Sequence, residues 1–365
     1  MRRSHWQYFD WRLLLIAVLL TIAGIAMIYS ATLGSGETLA GSWRRQAIYA
    51  VAGLVLMLLT AAINYRLLES LQWPLYLLSI GILLFTLAFG TSEIGAVRRF
   101  IYVGSVSIQP AFPALILLII SQASLLARNA PNPPGGLEFF LSLGLHAVAA
   151  FLVFLQPNLS TATLYMAVWV ALIFTSGMNL TYLGALGMSG AVAIPLVIPF
   201  LDDYMQARLL NFLDPTRDPV ANYNLDQALI SIGSGGFLGK GYAAGSQSQL
   251  HFLRVRHTDF IFSVVCEELG FLGAGLLLLL FGLLLWRLLR IAANAGDLTG
   301  QLIVVGVITY IFYQLLINLG MNLRLIPVAG LPMPFISSGG STLVITFMGL
   351  GLVQSVAMRH KRLEF

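Results

Sequence analysis

The chain has 365 residues, of which 58% are hydrophobic and 10% charged. Its mean hydropathy of +0.86 excludes an ordinary soluble globule and points to a polytopic membrane protein. The formal net charge of +5 fits lysines and arginines placed by membrane sidedness better than it fits a nucleic-acid partner, and one cysteine, Cys266, excludes an internal disulfide framework.

Apolar runs predict ten spanning helices, at about 13–31, 46–63, 72–90, 109–127, 138–155, 160–176, 182–200, 260–286, 301–321 and 332–357. The expected fold class is therefore all-α, a single integral membrane domain over residues 1–365. Helices satisfy every backbone amide within themselves, and the short alternating segments of a β-barrel are missing from the sequence. The first run, Leu13–Ala31, is too long for a cleaved signal peptide and is expected to stay as a helix. An even number of spans puts both termini on one side. With the termini inside, Arg2, Arg3, Arg12, Arg66, Arg128, Arg287, Arg290, Arg359, Lys361 and Arg362 lie in internal segments. Five of the remaining lysines and arginines fall in one long loop, which the sidedness rule discounts. The termini are expected in the cytoplasm, and the loop of about 201–259 outside.

That loop is the one sizeable polar segment and the natural place for chemistry. NYNLDQALISIG within it is expected as a short helix, either in the membrane interface with Leu225, Leu229 and Ile232 on one face or as a cap packed on the bundle. GSGGFLGKG (233–241) resembles a phosphate loop but fails on spacing: Ser234 stands where the first glycine belongs, and Gly241 where Ser or Thr should follow Lys240. A plain turn is favoured there, with anion binding by backbone amides beside Lys240 as the alternative.

RVRHTDFIFSVVCEELG (254–270) opens a spanning run with Arg254, Arg256, His257 and Asp259, and carries Glu267 and Glu268 two turns deeper. Ionisable groups at that depth are costly and suggest function. Thr258 is expected as N-cap, with Asp259 in the first helical turn, where the helix N-terminus favours an anion. At ~100° per residue, Glu267 falls about 80° and Glu268 about 180° from Asp259, so at least one glutamate serves structure. A single carboxylate can act as a general base on a hydroxyl, and neighbouring cations are expected to lower its pKa. Arg98, Arg99, Arg208 and Arg324 lie near the same face, with Gln314 and Asn318 in the ninth helix; an arginine-ringed cavity suits a pyrophosphate. His146, alone in an apolar helix, reads as a packing residue. No His, Asp or Glu spacing suggests a built-in metal cage.

Together these segments resemble the SEDS family, the RodA/FtsW cell-wall polymerases, and RodA more closely. The most specific matches are HTDFIFSVVCEELGF (257–271), SIGSGGFLGKG (231–241) and PVAGLPMPFISSGGSTLV (327–344); RFIYVGSVSIQP (99–110) and QPNLSTA (156–162) are looser. The resemblance implies ten spans, cytoplasmic termini and a place in the bacterial cytoplasmic membrane. It implies peptidoglycan glycosyltransferase activity on lipid II at the outer membrane face, and a class B penicillin-binding protein, a transpeptidase, as partner. It implies Asp259 as the catalytic residue. Lys240, Arg208, Arg98, His257, Ser338 and Gly339 are then the candidate substrate-binding residues, and Glu267, Glu268 and Asn158 the candidate supports of the cavity. No cofactor is implied by an evident motif; a divalent cation, magnesium or manganese, is an optional aid to pyrophosphate departure.

The chain departs from the family pattern at several positions, among them Leu253–Arg254–Val255 where the family has Leu-Pro-Glu before the histidine motif. Phe112 and Leu115 replace a glutamate and a lysine, and Asn158 replaces an aspartate. Losing both members of a buried charge pair is often nearly neutral for folding, so the fold is expected to survive. The departures motivate a second reading, a catalytically weak scaffold for a transpeptidase. A lipid-precursor flippase is the third, and would need broken helices around a midplane site.

Overall fold

In a computed structural model the protein is a bundle of membrane-length helices, described for residues 5–34, 39, 41–91, 99–104, 106–130, 132–179, 181–182, 184, 187–188 and 201–359. After a short 3-10 helix (His5–Tyr8), the order is α1 (Trp11–Thr32), α2 (Ser42–Ala62), α3 (Tyr65–Glu69), α4 (Gln72–Phe89), a hairpin of β1 (Ile101–Val103) and β2 (Val106–Ile108), and α5 (Ala111–Leu126). There follow α6 (Gly136–Phe154), α7 (Leu159–Thr175), α8 (Asp203–Leu213), α9 (Pro219–Ser234), α10 (Ser246–Gln249), α11 (Ile261–Ala293), α12 (Leu298–Asn322) and α13 (Gly340–Met358).

Among the described residues seven helices are long and apolar enough to span a bilayer: α1, α2, α4, α6, α11, α12 and α13. The shorter apolar helices α5 and α7 occupy the expected fourth and sixth spans. The expected seventh, 182–200, lies largely outside the described residues. α5 is buried nearly all round because α4, α6 and α12 enclose it. Phe112 and Leu115 are both fully buried there, and Phe112 meets Tyr310 of α12 edge-on with ring centroids 6.0 Å apart. An apolar pair at these positions fills the core without stranding a charge.

The last span starts later than its hydropathy suggests. Pro327, Pro332 and Pro334 remove backbone donors and block helix, Gly330 takes φ +63°, and α13 begins only at Gly340. The eighth span runs further, to Ala293, and is broken at Gly270, where φ is 66° and ψ −165°.

The break is filled by the glycine-rich segment. Lys240 N–H donates to the carbonyl of Glu267 (3.0 Å) and Gly241 N–H to that of Glu268 (3.0 Å). In return Phe271 N–H donates to the carbonyl of Gly236 (2.9 Å) and Leu272 N–H to that of Phe237 (3.1 Å). Non-helical backbone inside a spanning segment persists only where such partners exist. The approach is so close that a Cβ on Gly239, itself at φ +80°, would collide with the Glu268 carbonyl. The amides beside Lys240 are thus occupied, which corrects the anion-cradle alternative: the segment is a packed turn that completes a helix.

α9 is the helix expected from NYNLDQALISIG. It packs on α11 and touches α12, burying Asn222, Leu225, Ala228 and Ser231, while Leu229 is exposed. Of the expected face, Leu225 is buried and Ile232 packs against the core, and Leu229 alone turns outward; α9 is a cap on the bundle.

Candidate active site

Three consecutive backbone carbonyls fix the turn that carries Asp259. The carbonyl of His257 accepts from Ser338 N–H (2.9 Å), that of Thr258 from the Ser337 hydroxyl (2.6 Å), and that of Asp259 from the side-chain amides of Asn318 (3.1 Å) and Asn322 (3.0 Å). Asn318 also donates to the Leu331 carbonyl at 3.0 Å, so one side chain ties the turn to the 323–339 loop. Gln46 of α2 closes the set, donating to the Ser337 carbonyl (3.1 Å) and accepting from Gly339 N–H (3.3 Å).

These bonds correct the expected cap. Thr258 does not cap α11; its hydroxyl donates to the Val255 carbonyl at 3.3 Å. α11 starts at Ile261 after Phe260, with no side-chain cap, so Asp259 sits in the preceding turn rather than in the helix. The expected helical angles to Glu267 and Glu268 therefore do not apply.

Asp259 is half-buried and lines a chamber of about 650 Å³. α2 contributes Arg45, Gln46 and Tyr49, the strand region Arg99 and Gln109, α8 Arg208, α9 Asn224, and the last loop Ser338 and Gly339. His257 also lines it. Burial pushes the Asp259 carboxyl above its ordinary value; Arg208 and then Arg99 pull the other way and do not cancel it. The expectation that cations would set a lowered pKa is corrected here, since desolvation is the larger effect. Burial, followed by the charges of Arg256 and Arg45, holds the His257 imidazole below its ordinary value, so it is neutral at pH 7.

The other sequence candidates sit elsewhere. Lys240 is off the chamber: its ammonium donates to Glu267 (2.8 Å) and to the Ser246 hydroxyl (2.8 Å). Glu267 is fully buried and also accepts from Gln247 N–H (2.9 Å) and Ser248 N–H (3.2 Å). Glu268, equally buried, accepts from the Ser30 hydroxyl (2.6 Å), Ala243 N–H (3.1 Å) and the Ser248 hydroxyl (3.2 Å). The two glutamates thus hold the 240–249 segment against α11 and α1. Asn158 caps α7, its Oδ1 accepting from Thr161 N–H at 3.3 Å, and its Nδ2 is buried without a partner among the described residues. Arg256 donates to the Ala31 carbonyl at 2.6 Å, and Arg324 pairs with Asp226 at 2.5 Å. Arg98 lies outside the described residues. Arg45, Gln46, Tyr49 and Asn322 were not singled out from the sequence; WRRQ at a span boundary carries no local signal beyond an interfacial anchor.

A second, narrower groove of about 230 Å³ adjoins the chamber, sharing Arg208 and Val328 with it. Its walls are largely apolar, with Leu159, Met205, Leu209 and Ile317 among them. The arrangement offers a carboxylate of raised basicity, several guanidiniums near it and an apolar channel beside them. Such a set can take a proton from a hydroxyl while stabilising an anionic leaving group.

Residues 10–362 match the family of cell cycle proteins that groups FtsW, RodA and SpoVE. The chain is 36% identical to the peptidoglycan glycosyltransferase MrdB of Escherichia coli strain K12, over 100% of this chain and 98% of that protein. It is 33% identical to stage V sporulation protein E of Bacillus subtilis strain 168, over 97% and 98% of the two. Rod shape determining protein RodA of Thermus thermophilus superposes with a TM-score of 0.73 at 28% identity, covering 98% of this chain and 100% of that one. A chain from a peptidoglycan synthase complex that coordinates polymerization and crosslinking superposes with a TM-score of 0.82 at 30% identity, covering 96% and 98%. With nearly its whole length matched and the helical bundle shared, the chain is an integral membrane protein that belongs to the FtsW/RodA/SpoVE family.

Proposed function

We propose that Asp259 is the general base of the transfer that this peptidoglycan glycosyltransferase carries out, with lipid II as substrate at the outer face of the bacterial cytoplasmic membrane. The observation that carries the reading is Asp259 itself, half-buried, of raised basicity and facing a chamber with Arg99 and Arg208. The acceptor sugar's 4-hydroxyl gives its proton to the Asp259 carboxylate. Its oxygen bonds to the donor's anomeric carbon as the bond from that carbon to the pyrophosphate oxygen breaks. The electron pair leaves with the lipid pyrophosphate, whose charge Arg45, Arg99 and Arg208 stabilise. The polyprenyl chain would leave through the groove beyond Arg208 and Val328.

Among the described residues no three of His, Cys, Asp and Glu gather to hold a cation, and the chamber's charged walls are mainly guanidiniums. The described residues thus offer no cage for magnesium or manganese. The arginine and lysine distribution supports cytoplasmic termini, which would put the chamber outside. The synthase complex among the structural relatives supports a penicillin-binding protein as the crosslinking partner.

The scaffold reading rests on Phe112, Leu115 and Asn158. None of them lines the chamber, so their altered charges do not remove a wall of it. For the flippase reading, the break in α11 is occupied by the protein's own 235–241 segment rather than left as a transport site. The test is polymerisation of purified lipid II by the purified chain, with and without a class B penicillin-binding protein. Glycan strands formed by the chain alone or with the partner support the enzyme; none in either condition, from protein that is folded, supports the scaffold.

A further inference from the structure

On the face opposite the chamber, where α1 begins and α11 and α13 end, lies a cavity of about 680 Å³. Phe9, Asp10, Trp11, Arg12, Arg287 and Arg290 form most of its charged and aromatic lining. One wall is rigid. Asp10 N–H donates to Gln354 Oε1 (2.9 Å), Gln354 Nε2 donates back to the Asp10 carbonyl (2.8 Å), and Arg287 Nε donates to Asp10 Oδ2 (2.5 Å). Asp10 therefore neutralises one of three guanidiniums. Arg290 lies over the Trp286 ring at 4.5 Å. Arg12 makes no hydrogen bond or ion pair with any described residue. Among the described residues two cationic charges are left in a concave site.

Interfacial arginines commonly do no more than snorkel from a helix surface. Here they line a walled cavity instead, and basic pockets between spanning helices take anionic lipid headgroups. The surroundings favour a lipid over an acidic protein segment. Trp11 is 67% and Trp286 49% exposed, and Leu15 and Leu289 are exposed next to them. Tryptophans of this kind mark the headgroup level, and the leucines continue the cavity onto apolar helix sides. We propose that this cavity binds the headgroup of an anionic phospholipid, with Arg12 and Arg290 on its phosphate oxygens and its acyl chains along α1 and α11. The site is separate from the glycosyl-transfer chamber and does not depend on the role given to Asp259.

The test is native mass spectrometry of the full chain in a neutral detergent, titrated with phosphatidylglycerol, phosphatidylcholine, inorganic phosphate or a polyglutamate peptide. The variants are Arg12→Gln and the double variant Arg12→Gln/Arg290→Gln, each checked by thermal melting. Phosphatidylglycerol should be retained well above phosphatidylcholine. Retention should fall roughly fivefold for the single variant and roughly thirtyfold for the double one, the loss expected of about one and two basic contacts. Should the double variant fail to fold, the single variant still decides, since Arg12 is exposed and without a described partner. Equal retention of the two lipids, unchanged retention in the variants, or displacement of phosphatidylglycerol by equimolar phosphate or polyglutamate would each overturn the proposal.

Discussion

The side-chain amide of Asn322 donates to the backbone carbonyl of Asp259 at 3.0 Å, while its own oxygen accepts from the Ser263 hydroxyl at 2.7 Å. One residue at the end of α12 thus links the turn bearing Asp259 to the first turn of α11. The carboxylate is aimed from its backbone, by a neighbour that is not among the chamber's lining residues.

Asn322→Ala should therefore act as a positioning defect. It removes a donor from Asp259 and an acceptor from Ser263, at a cost of about 1–3 kcal/mol. Misplacement by about an ångström is enough to cost about 100-fold in rate. The prediction is a kcat reduced by about 10- to 100-fold with KM little changed, measured by polymerisation of lipid II. An unchanged kcat would show that Asn318 alone sets the turn.

Lys240 and Glu267 make a second, structural prediction. Glu267 is fully buried and Lys240 is 29% exposed at its side chain. Lys240→Met leaves a buried carboxylate with neutral donors only, and should lower stability by about 2–3 kcal/mol, somewhat less than for a fully buried pair. Thermal melting in detergent reads this directly. A substrate-binding lysine would instead raise KM and leave the melting temperature where it was.

Gly239→Ala should be among the most damaging small substitutions. The position combines φ +80° with a Cβ site that overlaps the Glu268 carbonyl, so both strain and collision act. The left-handed backbone alone costs about 1–2 kcal/mol for a residue with a Cβ, and the clash must push the glycine-rich segment off the break in α11. Reduced yield of folded protein and a lowered melting temperature are expected, checked by size-exclusion chromatography and thermal melting.

The pH dependence follows from burial. In the proposed role Asp259 has to be ionised to accept a proton, and its carboxyl is raised. Polymerisation should fall with falling pH at a value above the ordinary carboxylate range. Arg208 and Arg99 restrain that rise, so Arg208→Gln should move the inflection to still higher pH. Stability has the opposite sign. A raised carboxyl favours the folded state below the unfolded pKa of about 3.9, and that contribution is lost as pH rises through the folded value. At neutral pH the ionised group is thus held against stability, and Asp259→Asn should melt higher than the wild type.

Much of the bundle was legible in the sequence because hydropathy reports spans directly, whatever their partners. The limits came where non-local partners decide. α11 could not be seen to break at Gly270, because the break exists only with residues 236–241 packed into it. Thr258 had the chemistry of a cap, yet its carbonyl is claimed by Ser337, seventy-nine positions away, and α11 starts after it. Asp259, His257, Arg208, Ser338 and Gly339 meet at one chamber, whereas Lys240, an obvious anion binder by composition, is drawn off by Glu267. Arg45 and Gln46 look like interfacial residues of α2, yet both line the chamber and Gln46 bonds the last loop. The raised Asp259 carboxyl likewise depends on burial by distant segments, which charge spacing alone cannot reveal.

The most direct test is polymerisation of purified lipid II by Asp259→Asn, beside the wild type, with insertion and melting confirmed for both. The substitution keeps size and polarity and removes only the basic oxygen. No glycan strands from a variant that melts at or above the wild-type temperature is the predicted result. Strands made at the wild-type rate would contradict the role given to Asp259.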